Sequence, residues 1–277
     1  HLPENMAWDC LTWISGTINI YRAAHNNFPG QDPRQTCWLS NYMNGKLFRL
    51  GRLEFMHKMI DDNYPFVYKN RTDGFLKVLC GNNWKLSSSG WRLPDNCTEG
   101  EYVTSHFREN ANFVSGIQIA SSGRVESTRA IELSTAEWQK IMAPGDSALD
   151  VHIPGGGRMS PDAVDDSFNK ALKFYAEYFP EKNFKAFVCT SWLLNPDFME
   201  LMPDGNIAQF MRKVHLFPCV STGKDGMFFI FGEESIPLEK LSENNIVQKT
   251  MAQILRSGRV LRTGGMFLMT DEIDNNN

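Results

Sequence analysis

Apolar residues recur every three or four positions through 7–25, at Trp8, Leu11, Ile14, Ile18 and Tyr21, which predicts an amphipathic helix. The Pro-, Gly- and Asp-containing stretch 28–33 breaks that pattern, and a second short helix is expected over 34–44. The period then shortens toward two. Residues 47–59 alternate loosely around Gly51, which marks a bulge or a close approach of backbone. Residues 64–68 and 75–80 read as strands joined by Asn70-Arg71-Thr72-Asp73-Gly74, a good hairpin turn. Residues 82–112 are polar and read mostly as loop or edge structure. Segments 113–120 and 125–133 form another hairpin across Ser121-Ser122-Gly123.

In the second half, Ser134-Thr135-Ala136-Glu137 has the form of a capping box and predicts a short helix over 135–142, ended by Pro144-Gly145. A strand at 148–153 runs into the glycine-rich loop Pro154-Gly155-Gly156-Gly157-Arg158-Met159. Ser160-Pro161-Asp162 then opens a strong helix to about Tyr178, with a cap, a proline in the first turn and acids at the positive dipole end. A buried strand follows at 184–189, a short helix at 196–202 and a helical segment at 207–214. The apolar run 227–231 reads as a strand, 243–257 as a helix capped by Gly258, and 260–269 as a last strand. The expected organisation is a helical N-terminal segment at 1–45, a mixed-sheet body at 46–270 with a strand–loop–helix–strand core at 148–189, and a disordered tail at 271–277.

Composition narrows the functional classes. The 277 residues fit one large domain or two small ones, and 42% hydrophobic residues suffice for a sizeable core. Lys and Arg number 28 against 32 Asp and Glu, a net charge of −4, so no nucleic acid partner is expected. No apolar run approaches the ~20 residues that cross a bilayer, so no membrane role is expected either. The six cysteines are scattered without a CxxC pair and read as reduced thiols. The opening His1-Leu2-Pro3-Glu4-Asn5 has neither a basic region nor an apolar core, and the expected location is cytoplasmic.

The stretch 148–189 carries the chemistry. Glycines let backbone approach a ligand, and the amides at a helix start attract an anion, so a phosphate or pyrophosphate is the natural occupant of the loop. A flexible connection without a ligand is the alternative. There is no GxxxxGK[ST], and no GxGxxG follows a strand, which disfavours P-loop and Rossmann sites.

Three words of sequence occur in one order: Leu47-Phe48-Arg49-Leu50-Gly51-Arg52-Leu53-Glu54-Phe55, Val151-His152-Ile153-Pro154-Gly155-Gly156-Gly157, and Phe187-Val188-Cys189-Thr190-Ser191-Trp192-Leu193-Leu194. They resemble a bacterial family of acyltransferase-type proteins that pair an N-terminal acyltransferase-type domain with a GNAT-like C-terminal domain. The resemblance implies an α/β (α+β mixed-sheet) GNAT-like acyltransferase fold behind a small helical N-terminal part. It also implies acetyl-CoA or another acyl-CoA as co-substrate, with transfer to a small-molecule amine or hydroxyl acceptor. On this resemblance Gly155, Gly156, Gly157, Arg158, Met159 and Ser160 bind the coenzyme pyrophosphate. The loop departs from the usual Arg/Gln-x-x-Gly-x-Gly/Ala pattern.

His152, at the end of the strand beside the loop, is the first catalytic candidate, because direct transfer to an amine needs a base and imidazole titrates in the right range. A structural hydrogen bond to the loop is its alternative role. Ser191 is a candidate hydroxyl donor or, equally, a cap for the segment that follows. Two rival readings stand beside the enzyme: a non-catalytic binding module on the same fold, and a thiol hydrolase using Cys189, although a cysteine inside an apolar strand is commonly inert. No GxSxG and no HExxH occurs, so no serine-hydrolase elbow and no metal site is expected. Asp61-Asp62 and Asp165-Asp166 read as solvated surface. Arg256, Arg259 and Arg262, beside a helix end, need no ligand to be favourable.

Overall fold

The computed structural model describes residues 6–98 and 100–273. Two helices, α1 (Met6–Ala24) and α2 (Pro33–Met43), come first. They are followed by strands β1 (Leu47–Leu50) and β2 (Leu53–Met59), β3 (Phe66–Asn70) and β4 (Leu76–Leu79), the short β5 (Lys85–Ser87), β6 (Arg92–Leu93), β7 (Tyr102–Thr104) and β8 (Arg108–Glu109), then β9 (Phe113–Ile119), β10 (Ala130–Ser134), β11 (Trp138–Met142) and β12 (Ser147–His152). Helix α3 (Pro161–Tyr178) leads to β13 (Ala186–Ser191), a single 3-10 turn (Trp192–Leu194), α4 (Asp197–Leu201), α5 (Asn206–Lys213) and β14 (His215–Pro218). The chain finishes with α6 (Met227–Phe231), α7 (Ile246–Arg256), β15 (Gly264–Met269) and α8 (Thr270–Ile273).

Three sheets result rather than one. The central sheet has the order β1-β2-β12-β13-β15-β14, and its neighbours are antiparallel except for the parallel pair β12 and β13 that α3 connects. A second sheet runs β10-β9-β4-β3-β11 with β8 on β9, and a third runs β6-β5-β7. Strand β13 explains why the central sheet reads as an unbroken apolar run: Ala186 to Cys189 are all buried, with Phe187 and Cys189 in one core and Ala186 and Val188 in another. Helix α3 lays Val164, Phe168, Ala171, Phe174 and Tyr175 on the first of these cores. The second core is shared with Val67, Ile117, Ile119 and Met142 of the second sheet.

Gly51 marks a close approach. It sits in the tight turn between β1 and β2, where Leu50 pairs with Leu53, at a φ of +75°. A Cβ there would lie 2.8 Å from Ser167 Oγ of α3. That hydroxyl accepts from the Arg52 and Leu53 amides at 2.7 and 3.3 Å and donates to the Ala163 carbonyl at 2.7 Å, so α3 is bolted to the turn.

Three expectations change. Residues 227–231 form a helix, α6, because left-handed glycines at both ends, Gly226 and Gly232, close a single apolar turn. The stretch 138–142 is strand β11 paired with β3, and Ser134 caps a tight turn instead of a helix, with Glu137 N donating to Ser134 O at 3.1 Å. The polar segment 82–112 is mostly loop, as expected, with four short strands set in it. Residues 271–273 of the expected tail are helical, with Ile273 buried, and 274–277 lie outside the described residues. No disulfide joins the six cysteines, and no described helix is long and apolar enough to cross a membrane.

Candidate active site

The parallel strands β12 and β13 part company before either ends. Their register covers Ala148 with Ala186, Leu149 with Phe187, and Asp150 with Val188. Beyond that point β12 continues to His152 against β2, and β13 continues to Ser191 against β15. The gap between 151–152 and 189–191 opens into a cleft of about 980 Å³. Its lining draws on both strand ends, the glycine loop, the starts of α5 and α7, the α6 segment and helices α1 and α2. Such convergence of loops at the carboxyl ends of parallel strands is where α/β sheets place ligands.

One wall is polar. His152 lies half-buried beside Asp150, with Nε2 3.5 Å from Asp150 Oδ2, too long for a hydrogen bond, and its ring edge meets Trp38 of α2 at a 4.7 Å centroid distance. Burial lowers the imidazole pKa and Lys58 pushes the same way, against the opposing pull of Asp150. The ring is therefore neutral near pH 7 and able to accept a proton. Asp150 is shifted upward by burial, with His152 and Lys58 opposing.

Opposite His152 in register on β2 stands Glu54, whose side chain is only 2% exposed. Burial raises its carboxyl pKa, while the Tyr42 hydroxyl, Arg49 and Arg52 hold it down. Arg52, Glu54, Trp38 and Gln35 all line the cleft.

The other wall is apolar. Trp192, just after β13, stacks on Phe229 of α6 at 6.4 Å and 11°, and Ile207, Ile230, Ile246 and Val247 extend the surface. Gly226 is required beneath it: its φ is +89°, and a Cβ there would lie 2.6 Å from the Trp192 ring.

Of the residues singled out by sequence, His152, Gly155, Gly157, Met159 and Ser191 are brought together in the cleft lining. Gly156, Arg158 and Ser160 are not among the lining residues, and Arg158 points to solvent. Gly156 and Gly157 take φ values of +79° and +72°, so the loop uses its glycines for backbone shape. Ser160 is the N-cap residue of α3 but makes no side-chain cap bond. Ser191 accepts from the Leu193 amide at 3.2 Å, which is the capping role, while still facing the cleft.

Cys189 also lines the cleft, yet burial pushes its thiol well above the usual range, the reverse of what a thiolate nucleophile needs. The basic group is internally occupied: Arg259 pairs with Asp197 and Glu200, Arg256 with Glu243, and Arg262 stacks over Trp91. Asp165 and Asp166 are paired with Lys213 and Lys170.

Sequence reasoning missed Arg52, Glu54, Asp150, Trp38 and Phe229. For Glu54 a signal existed: an acid between Leu53 and Phe55, inside an apolar strand, is a charge whose burial needs a reason.

A splayed parallel pair, a glycine loop and a helix start on one cleft define a GNAT-like acyltransferase fold. The chain belongs to the family of the GNAT-like C-terminal domain, whose model matches residues 47–268. Among solved structures it is similar to an acyltransferase in complex with decanoyl-CoA and teicoplanin, at 19% identity and a TM-score of 0.61, covering 97% of this chain and 59% of that one. It is also similar to an acyltransferase mutant in complex with octanoyl-CoA, at 19% identity and 0.61, covering 96% of this chain and 59% of that one. A third is an acyltransferase in complex with decanoyl-CoA, at 21% identity and 0.57, covering 96% and 58%. The chain thus spans just under three-fifths of the length of these structures, and at such identities the likeness is one of fold. Comparison with curated proteins gives no match.

Proposed function

We propose that this protein is an acyl-CoA-dependent acyltransferase acting on a small amine or hydroxyl acceptor. The carrying observation is the parting of β12 and β13 beyond Asp150 and Val188, beside the glycine loop at the start of α3. Backbone groups facing the gap are released from the strand ladder there and suit a thioester and its pantetheine arm. The pyrophosphate then falls at the loop and the positive end of α3. The apolar wall suits the acyl chain, in keeping with the octanoyl- and decanoyl-CoA bound by the similar structures.

In the reaction the acceptor nitrogen or oxygen attacks the thioester carbonyl, the new C–N or C–O bond forms, and the C–S bond breaks. Neutral His152 takes the acceptor's proton and returns it to the departing sulfur. Ser191 is the hydroxyl nearest in sequence to the β13 end of the gap, but its cap bond makes it a wall residue first.

Isothermal titration with acetyl-, octanoyl- and decanoyl-CoA tests the reading, and no binding to any of the three would overturn it. The second reading, a binding module without transfer chemistry, draws on the unusual loop pattern. It predicts acyl-CoA binding with no thiol release against a panel of amines and alcohols.

A further inference from the structure

The polar wall contains a cation whose buried donors have no hydrogen-bond partner among the described residues. Arg52 lies at the turn between β1 and β2, and its backbone is fixed by the bond from its amide to Ser167 Oγ. Arg52 lines the cleft, and its Nε and Nη1 are buried with no hydrogen-bond partner among the described residues. Glu54, whose charge acts on Arg52, has Arg49 as its ion-pair partner at 4.0 Å. Arg52 is also the side chain that meets the glycine loop: its Cδ and Nε lie 3.6 Å from where a Cβ of Gly157 would be. The loop's own cation, Arg158, faces solvent instead. A guanidinium buried without partners costs stability unless something neutralises it, and its fork of donors matches phosphate oxygens.

Resting on the acyl-CoA reading above, we infer that Arg52 is a binding residue for the diphosphate of the coenzyme. It supplies from the β1–β2 turn the charge that the glycine loop does not bring into the cleft. The Gly157 position leaves room for the guanidinium to lie against the loop, so loop amides and Arg52 hold the same anion from two sides. Fixing Arg52 through its main chain to α3 keeps this arrangement independent of any side-chain partner. The residue is then a ligand contact rather than a structural one, and the ligand-free fold bears a cost for holding it.

The test is isothermal titration of the full chain and its Arg52→Met and Arg52→Lys variants with CoA, dephospho-CoA and pantetheine, together with a thermal melt of each ligand-free protein. Arg52→Met is expected to weaken CoA and dephospho-CoA alike, by about tenfold or more, as befits loss of a charge-assisted contact. Pantetheine, which has no diphosphate, is expected to bind the variant and the parent equally, and Arg52→Lys to fall between. The ligand-free melting temperature of Arg52→Met is expected to equal or exceed the parent's, which a structural role would not allow.

Unchanged CoA binding by Arg52→Met would overturn the assignment while leaving the acyl-CoA reading intact. A loss confined to CoA, with dephospho-CoA unaffected, would move the contact to the 3′-phosphate and overturn it too. A lowered melting temperature with equal weakening of all three ligands would make Arg52 structural. Should the parent bind no CoA, the enzyme reading falls by itself, and titration with inorganic pyrophosphate decides the site. Binding that is lost in Arg52→Met supports it, and no binding ends it.

Discussion

At the scale of single residues, His152 makes the sharpest demand on the chemistry. Burial among β12, β2 and Trp38 lowers its pKa below the ordinary 6.5, with Lys58 adding to the effect and Asp150 opposing it. The base form is therefore the resting form, and kcat/KM is expected to rise with pH through an apparent pKa below 6.5 and stay flat to pH 8. His152→Gln is expected to remove that acidic limb and lower kcat by roughly a hundredfold or more, the usual worth of a general base, with octanoyl-CoA affinity unchanged. A steady-state pH profile beside a titration reads both. A profile that persists in the variant would assign the proton to another group. Stability has a definite sign as well. The folded imidazole binds a proton less readily than the unfolded one, so the parent loses stability relative to His152→Gln as pH falls below 6.5. At Cys189 the same burial works against reactivity, and alkylation of the native protein by iodoacetamide is expected to spare it until the chain unfolds.

At the scale of elements, one hydroxyl couples the β1–β2 turn to α3. Ser167 is fully buried and makes two hydrogen bonds across that junction and a third to the Ala163 carbonyl within α3. Ser167→Ala leaves the Arg52 amide without its acceptor and is expected to cost about 2 kcal/mol in denaturant unfolding. Gly51→Ala faces a left-handed φ and a contact of 2.8 Å to the same hydroxyl, and is expected to cost at least as much, about 2–3 kcal/mol. A variant of either kind with unaltered stability would mean that the junction relaxes freely.

Element identity was legible wherever periodicity and punctuation agreed. Helix α3 has a proline at its first position, an acid in its first turn and a continuous apolar face, and the alternation of 47–59 was readable as strands around a glycine. Misreadings came where a local signal has two structural uses. A serine side chain that accepts an amide two residues on serves a tight turn as well as a helix start, and Ser134 serves the turn into β11. Five apolar residues fit a strand or a single apolar helical turn, and the flanking glycines of 227–231 were the deciding signal. The candidate site was half legible. The loop and His152 share one stretch of sequence, whereas Arg52, Glu54, Trp38 and Phe229 join them only through sheet order and helix packing, which no local pattern encodes.

At the scale of the whole molecule, the cleft is built by parts far apart in the chain, and its two walls differ in chemistry. Helices α1 and α2 supply Ile20, Gln35 and Trp38 although they precede the region matched by the family model, while α6 and α7 supply the apolar side. Phe229 and Ile246 on that side stand 48% and 64% exposed, an apolar surface left to water when the cleft holds nothing. Covering such a surface with an alkyl chain is favourable in proportion to area, so each further methylene bound there should add about 0.8 kcal/mol, roughly fourfold in affinity. Across acetyl-, butyryl-, hexanoyl-, octanoyl- and decanoyl-CoA, the dissociation constant is therefore expected to fall steadily and then level off where the chain outruns the wall formed by Trp192, Phe229 and Ile230. The coenzyme contacts are common to the whole series, so the slope isolates the wall. Phe229→Ala removes the ring that stacks on Trp192 from an exposed position, where loss of folding stability is small, and is expected to flatten the slope while leaving acetyl-CoA untouched. A series without slope in the parent would place the acyl chain elsewhere and give the apolar wall to the acceptor. In that case acceptor KM, rather than acyl-CoA affinity, is the quantity that Phe229→Ala should move.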